Sequence, residues 1–319
     1  MSVDLLEWQA RIVEARDRIR GVVRETPVAL IEGEARLGSA RAYLKLEHLQ
    51  RTGSFKLRGA ANKVLSLSSD VAARGVVTSS TGNHGLGVAA ASQHCRIDAE
   101  VFVSSQVSPT KLRMMQDHGV RIRHAGHNPL EAELAARAAA GQSGRTYVSP
   151  YNDAFVVAGQ GTVALELARQ IDDIDAIYVA VGGGGLIGGI GVYMKAVSPQ
   201  TEIVGCWPEN SRVMYECLRA GKVIDFPEEP TASESTAGGV EPGSITFELC
   251  DSVVDRCVLV SEAEILDSMR WAHRRDWKIE GAAAVAVAAF FREASSYDHK
   301  TIAIISCGGN TSPEVLARL

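Results

Sequence analysis

From Gly75 onward the chain alternates between short apolar runs and longer segments of helical period. Residues 76–78 read as a strand, Ser79 to Gly85 as a turn, and 86–94 as a helix. The alternation repeats over 100–103, 108–118, 120–123 and 129–140. After Val148 it resumes, with a helix over 161–171, a strand over 176–181 and a helix over 186–197. Further strands are expected over 202–207, 255–260 and 301–305, and an alanine-rich buried helix over 281–291. Ser261 with Glu264 three residues later predicts a capping box. Parallel strands need crossover connections, and regular βαβ alternation implies sheets covered by helices on both faces. The fold class expected is therefore α/β in two lobes, each a mostly parallel sheet flanked by helices. The smaller lobe is about residues 73–150, and the larger is 1–72 plus 151–319.

Before this region, residues 4–20 carry Leu5, Trp8, Ile12, Ala15 and Ile19 on one helical stripe, and 42–47 alternate like a strand. That strand delivers the chain to Thr52-Gly53-Ser54-Phe55-Lys56-Leu57-Arg58-Gly59-Ala60. A lysine held among apolar neighbours loses its proton more readily, because burial penalises the charged form. A neutral amine is a nucleophile and forms a Schiff base with an aldehyde. Taken alone, the stretch reads more readily as a helix start capped by Ser54, with Lys56 in solvent.

Bulk properties exclude several classes. With 46% apolar residues, 22% charged and a net charge of −5, nothing points to nucleic acid or an anionic membrane surface as partner. No run of about 18 apolar residues is present to span a bilayer. Met1-Ser2-Val3-Asp4 does not begin a signal peptide, and no regulatory domain is expected in the nine residues after Asn310. The six cysteines show no paired spacing, so neither a zinc site nor a disulfide framework is expected, and a reducing cytoplasm is the simplest location.

Three further stretches carry candidate chemistry. Gly182, Gly183, Gly184 and Gly185 join an apolar strand to a helix, where converging N–H groups and the helix dipole suit a phosphate. No Walker lysine is present, and a phosphate outside a nucleotide is favoured over a nucleotide; a tight connection without ligand is the competing reading. The turn Ser80-Thr81-Gly82-Asn83-His84-Gly85 sits at the carboxyl end of a parallel strand, where α/β sheets bind ligands. Its hydroxyls, amide and N–H groups suit a carboxylate, while plain helix capping explains them equally well. A lone histidine in such a turn is more often structural than an acid–base group. Cys307 follows the last strand and is on its own a small hydrophobe; Glu280 begins a buried helix, where a carboxylate favours the dipole.

Together, the Lys56 stretch, Ser80-Thr81-Gly82-Asn83-His84-Gly85, the glycine run and Cys307-Gly308-Gly309-Asn310 resemble the fold type II pyridoxal-phosphate enzymes (tryptophan synthase β-like). The nearest branch is the serine/threonine dehydratases and serine racemases. Leu46-Glu47-His48, Ala158-Gly159-Gln160-Gly161-Thr162 and Ile279-Glu280-Gly281-Ala282 resemble in particular the hydroxyectoine-utilisation dehydratases. The resemblance implies pyridoxal 5'-phosphate as cofactor, held by Lys56 as a Schiff base, in the cleft between the lobes. Phe55 would flank its ring and Asn83 would bond the ring hydroxyl. Gly182, Gly183, Gly184, Gly185 and Leu186 would cradle the phosphate, and Cys307 would face the pyridine nitrogen. Ser80, Thr81, Gly82 and His84 would hold the carboxylate of a small amino-acid substrate. A homodimer is also implied.

The implied reaction is α,β-elimination. Lys56, displaced by the substrate amine, takes the α-proton; the β-hydroxyl leaves; the enamine becomes an imine and hydrolyses to a keto acid and ammonia. The alternatives are a racemase, a β-replacement enzyme, and a non-enzymatic binder of a phosphorylated ligand. Two departures bear on the choice. Racemases of the family carry serine where this chain has Thr81, whose stiff χ1 and extra methyl disfavour a second catalytic hydroxyl. The family's divalent-cation site uses a glutamate before a proline and a nearby aspartate; here Trp207-Pro208 and Val213 stand there, so no metal is expected.

Overall fold

The computed structural model describes residues 3–80, 82–105, 107 and 109–319, with 109–111 described by backbone only. Among these, the strands are β1 (Val28–Leu30), β2 (Arg41–Lys45), β3 (Val76–Ser79), β4 (Ala99–Val103), β5 (Arg121–His124), β6 (Thr146–Tyr147), β7 (Ala176–Ala180), β8 (Glu202–Pro208), β9 (Arg256–Val260) and β10 (Thr301–Ile305). They form a six-stranded sheet ordered β1-β2-β10-β7-β8-β9 and a four-stranded sheet ordered β5-β4-β3-β6. Every pairing is parallel except β1 with β2. The central strands β4 and β7 are buried at every residue, whereas the edge strand β5 is mostly exposed. Covered parallel sheets require this pattern.

The helices are α1 (Leu5–Ile19), α2 (Lys56–Leu65), α3 (Ser69–Ala72), α4 (Asn83–Cys95), α5 (Pro109–Gln116), α6 (Pro129–Ser143), α7 (Ala154–Gln170), α8 (Gly185–Val197), α9 (Val213–Ala220), α10 (Ile245–Val253), α11 (Glu262–His273), α12 (Gly281–Glu293) and α13 (Pro313–Leu316). Helix α12 is buried from Gly281 to Phe290 and packs its alanines on the large sheet. The expected capping box at Ser261 and Glu264 is present at the start of α11.

Two helix starts differ from expectation. Helix α7 begins at Ala154, well before 161, because the Asp153 side chain accepts from the N–H groups of Phe155 and Val156. The glycines that suggested a later start serve packing instead. A Cβ on Gly159 would lie 2.6 Å from the Arg58 carbonyl oxygen, so the backbones of α2 and α7 meet there. Helix α4 begins at Asn83, before 86, and its cap is Gly82. Asn83 and His84 are therefore first-turn residues, fixed by the helix.

Helix α2 is held from below by a buried ionic network. Arg58 donates to both oxygens of Glu47 at 2.7 Å and to Glu166 at 2.6 and 2.8 Å. Lys45 donates to Glu166 at 2.6 Å, to the Thr26 carbonyl at 2.7 Å and to Gln170 at 2.9 Å. Thr26 completes the set through Glu47. Arg58, Lys45 and Glu47 have no exposed surface. Two cations balance two carboxylates, and their hydrogen bonds offset much of the desolvation that makes a buried charge costly. Removing one partner leaves an uncompensated buried charge. Arg58→Ala or Glu166→Ala should therefore lower unfolding free energy by about 3–5 kcal/mol, measured by denaturant titration. Stability equal to the parent protein in both variants contradicts this account.

Candidate active site

Three strand ends converge on one place. Strand β3 leads into Ser80 and the start of α4. Strand β7 leads into the glycine loop and α8. Strand β10, which pairs with both β2 and β7, leads into Ser306 and Cys307. The segment after β10 then joins the turn before α2. Phe55 N–H donates to the Cys307 carbonyl at 3.0 Å, Ser54 bridges Gly308, and Gly309 N–H donates to the Gly53 carbonyl at 2.9 Å.

Lys56 opens α2, and Phe55, not Ser54, is the cap residue, with no side-chain capping bond. The Ser54 hydroxyl is buried without a hydrogen-bond partner, so the capping alternative does not hold. The Lys56 ammonium donates to the Pro150 carbonyl at 2.9 Å and lies 5.2 Å from the centroid of the Phe55 ring. Lys56 is half-buried, yet protein surrounds its amine closely enough for desolvation to dominate. Burial lowers its pKa to about 8, opposed by the Cys307 and Glu280 charges. Burial first, and then Glu280, push the Cys307 thiol well above its ordinary value, so it keeps its proton. Glu280 is thus the charge that opposes burial at Lys56 near neutral pH. A pKa of about 8 leaves roughly a tenth of the amine neutral at pH 7, against about one part in three thousand at 10.5.

The glycine loop is shaped by close neighbours. A Cβ on Gly183 would lie 2.5 Å from the Tyr151 ring, and one on Gly182 would lie 2.8 Å from the Thr236 carbonyl oxygen. Gly184 has φ +82°, a conformation other residues rarely adopt. Thr246 and Cys250 hold the loop through the carbonyls of Gly183 and Gly184. Gly185 and Leu186 begin α8, and first-turn N–H groups have no intrahelical acceptor. These are the donors a phosphate needs.

Asn83 is buried and donates from Nδ2 to both carboxylate oxygens of Glu280, at 2.9 and 3.0 Å. Its Oδ1 accepts from Asn310 Nδ2 at 2.7 Å. The Ser80 hydroxyl accepts from Gly82 N–H at 3.1 Å and so shapes the turn. Thr81 lies outside the described residues. The His84 ring makes a structural hydrogen bond, as a lone histidine in a tight turn more often does. Its Nε2 meets the Val148 carbonyl at 3.0 Å, which only accepts, so this nitrogen carries the proton. Burial, then Lys56, lower its pKa to about 3. The neutral ring is thus turned to the protein, and it is the backbone N–H of His84 that lies in the first turn of α4.

The positions examined for a divalent cation are apolar. Trp207 and Val213 are buried, and the Trp207 ring packs edge-on against Tyr215 with centroids 5.8 Å apart. Glu280 and Asn310 are the site residues whose contacts were not foreseen from sequence. Polar side chains beside glycines at the ends of apolar segments were the available signal.

A fold of two mostly parallel sheets with a half-buried lysine of lowered pKa and a glycine loop at a helix start defines a class. A family model described as pyridoxal-phosphate dependent enzyme matches residues 19–308, and the chain belongs to this family. Its cofactor is pyridoxal phosphate. An L-threonine ammonia-lyase of Thermotoga maritima is 36% identical over 309 residues, which cover 97% of this chain and 77% of the relative. The processed form of threonine deaminase isoform 2 from Solanum lycopersicum superposes with a TM-score of 0.94 at 30% identity, over 99% of this chain and 93% of that one. Maize serine racemase superposes with a TM-score of 0.90 at 29% identity, over 97% and 96%. The branch is thus that of the threonine/serine dehydratases and serine racemases.

The residues present fit the cofactor. Lys56 is an amine with a lowered pKa, and the loop of glycines at a helix start presents donors for a phosphate. The buried Ser54 hydroxyl and His84 Nδ1 have no partner among the described residues, as expected of a polar site shaped for a ligand. Since only the neutral amine attacks an aldehyde, capture of pyridoxal phosphate by cofactor-free protein should speed up as pH rises from 7 to 9. The midpoint should fall near pH 8, followed by visible absorbance. A rate that is flat over this range, or still rising tenfold per unit above pH 9, contradicts the lowered pKa.

Proposed function

We propose that the protein is a dehydratase that eliminates water from a β-hydroxy amino acid, giving a keto acid and ammonia. The observation that carries this reading is Lys56, an amine with pKa about 8 beside a thiol that keeps its proton. Bound pyridoxal phosphate supplies an electron sink that acidifies the α-hydrogen of an attached amino acid. Lys56 would hold the cofactor and could move the α-proton; near its pKa an amine serves both as base and as acid. The glycine loop and Leu186 bind the phosphate and fix its depth. Asn83 would offer an N–H to the ring hydroxyl, and Phe55 would cover the ring. Cys307, a thiol that keeps its proton, would stand by the cofactor's ring nitrogen as a neutral partner, which suits elimination. Ser80, Gly82 and the first-turn N–H groups of α4 hold the substrate carboxylate, with Thr81 at the place where racemases carry serine.

The lobes we assign are 1–72 plus 151–319 and 73–150, with the cofactor in the cleft between them. The substrate class we favour is a β-hydroxy amino acid with a further polar group, such as 3-hydroxyaspartate or a hydroxylated diaminobutyrate derivative. Support comes from the resemblance at residues 46–48, 158–162 and 279–282. Within those stretches Glu47 and Gln160 brace α2, the latter through Gly59 N–H at 3.1 Å. Glu280 alone among the acidic residues there meets Asn83. The six cysteines are free thiols, which suits a reducing cytoplasm, and we expect a homodimer by analogy with the family.

The test is an ammonia-release screen over β-hydroxy amino acids in deuterated water, with both keto acid and opposite enantiomer measured. Keto acid should form faster than the opposite enantiomer, and the polar substrates should exceed serine and threonine. Threonine as best substrate by a wide margin removes the finer substrate reading. Opposite enantiomer formed faster than keto acid replaces dehydratase by racemase.

A further inference from the structure

Four polar groups from four segments form one directed chain. The Thr52 carbonyl, in the turn before Lys56, accepts from Asn310 Nδ2 at 2.8 Å. The same nitrogen donates to Asn83 Oδ1 at 2.7 Å. Asn83 Nδ2 donates to Glu280 at 2.9 and 3.0 Å. An asparagine amide taken alone offers a neighbour either its oxygen or its nitrogen. Here both ends of the chain have fixed polarity, since a backbone carbonyl and a carboxylate only accept. The Thr52 carbonyl requires the nitrogen of Asn310, and that nitrogen requires the oxygen of Asn83. Reversing Asn83 would set nitrogen against nitrogen at Asn310 and oxygen against carboxylate at Glu280. Asn83 Nδ2 has one further, longer approach, 3.5 Å to Ser235 Oγ, and a ligand oxygen on that side would compete with this weak contact.

We propose that Asn310 is a positioning residue: it locks the Asn83 amide, against Glu280, with its N–H side presented to the cofactor. The inference rests on the reading of Asn83 as the group that meets the ring hydroxyl. Asn310 reaches this role because it also ties the Lys56 turn to the end of β10. A Cβ on Gly53 would lie 2.6 Å from Asn310 Oδ1, so only glycine leaves the space that Asn310 fills. One side chain thereby couples the base of the lysine turn to the donor on the opposite lobe.

The test is a double-mutant cycle on cofactor affinity. Asn310→Asp keeps the shape but cannot donate to Thr52 or Asn83 when ionised; Asn310→Ala removes the amide without adding charge and serves if the aspartate variant folds poorly. Pyridoxal phosphate is titrated into cofactor-free protein and followed by visible absorbance. Loss of Asn310 should weaken affinity about tenfold, as should Asn83→Ala, and the double variant should be no weaker than Asn83→Ala alone. The visible band of each Asn310 variant should move toward that of Asn83→Ala. An Asn310 effect that persists undiminished in the Asn83→Ala background, or no effect on affinity, overturns the proposal. Wild-type protein that takes up no pyridoxal phosphate instead overturns the reading of the Lys56 site, and the proposal with it.

Discussion

The ion network around Arg58 is the constraint on which the geometry of Lys56 depends. Arg58 lies two residues after Lys56, in the first turn of α2, and donates to Glu47 before the helix and to Glu166 on α7. A first turn held this way has little freedom to rotate. Buried ion pairs add little net stability compared with apolar packing, but they are directional. Here the direction fixes where the Lys56 side chain leaves the helix. The close approach of Gly59 and Gly159 brings α2 and α7 near enough for Arg58 to reach Glu166.

Above that floor, the site is assembled by strand ends. β3 lies in the four-stranded sheet and β7 and β10 in the six-stranded one, yet each hands its next residues to the site. Each end contributes a different chemistry: a helix start with Asn83, a glycine loop at a helix start, and a buried thiol. The lysine comes from none of them. It is brought in by pairing the turn at Thr52–Phe55 with residues 307–310, so the last strand both supplies Cys307 and seats Lys56.

Much of this was legible in the sequence, where physics acts locally. Strand β10 falls on its expected residues, because an apolar run bounded by turn signals has few alternatives. The capping box at Ser261 was legible because both partners lie within one turn. The glycine loop was recognisable because four glycines in succession are conformationally expensive without a close approach to accommodate. What was hidden depends on distant partners. Helix α7 begins at its Asp153 cap, but Gly159 and Gly161 obscured it, since their reason lies in α2 and α8. Helices α9 and α10 and the short strand β1 are stabilised by the core they cover and lacked a signal of their own. His84 is neutral because it is buried near Lys56, with its proton on the nitrogen that faces the Val148 carbonyl, and Asn83 is oriented by residues 280 and 310; none of these partners is near in sequence.

The central claim is that one lysine, Lys56, carries the cofactor. It is tested by reducing the pyridoxal-phosphate-loaded protein with borohydride, digesting it and locating the added mass by peptide mapping. The account predicts the modification on Lys56, and none at this site in Lys56→Ala. Recovery of the adduct on another lysine of the intact protein, with Lys56 unmodified, would contradict it.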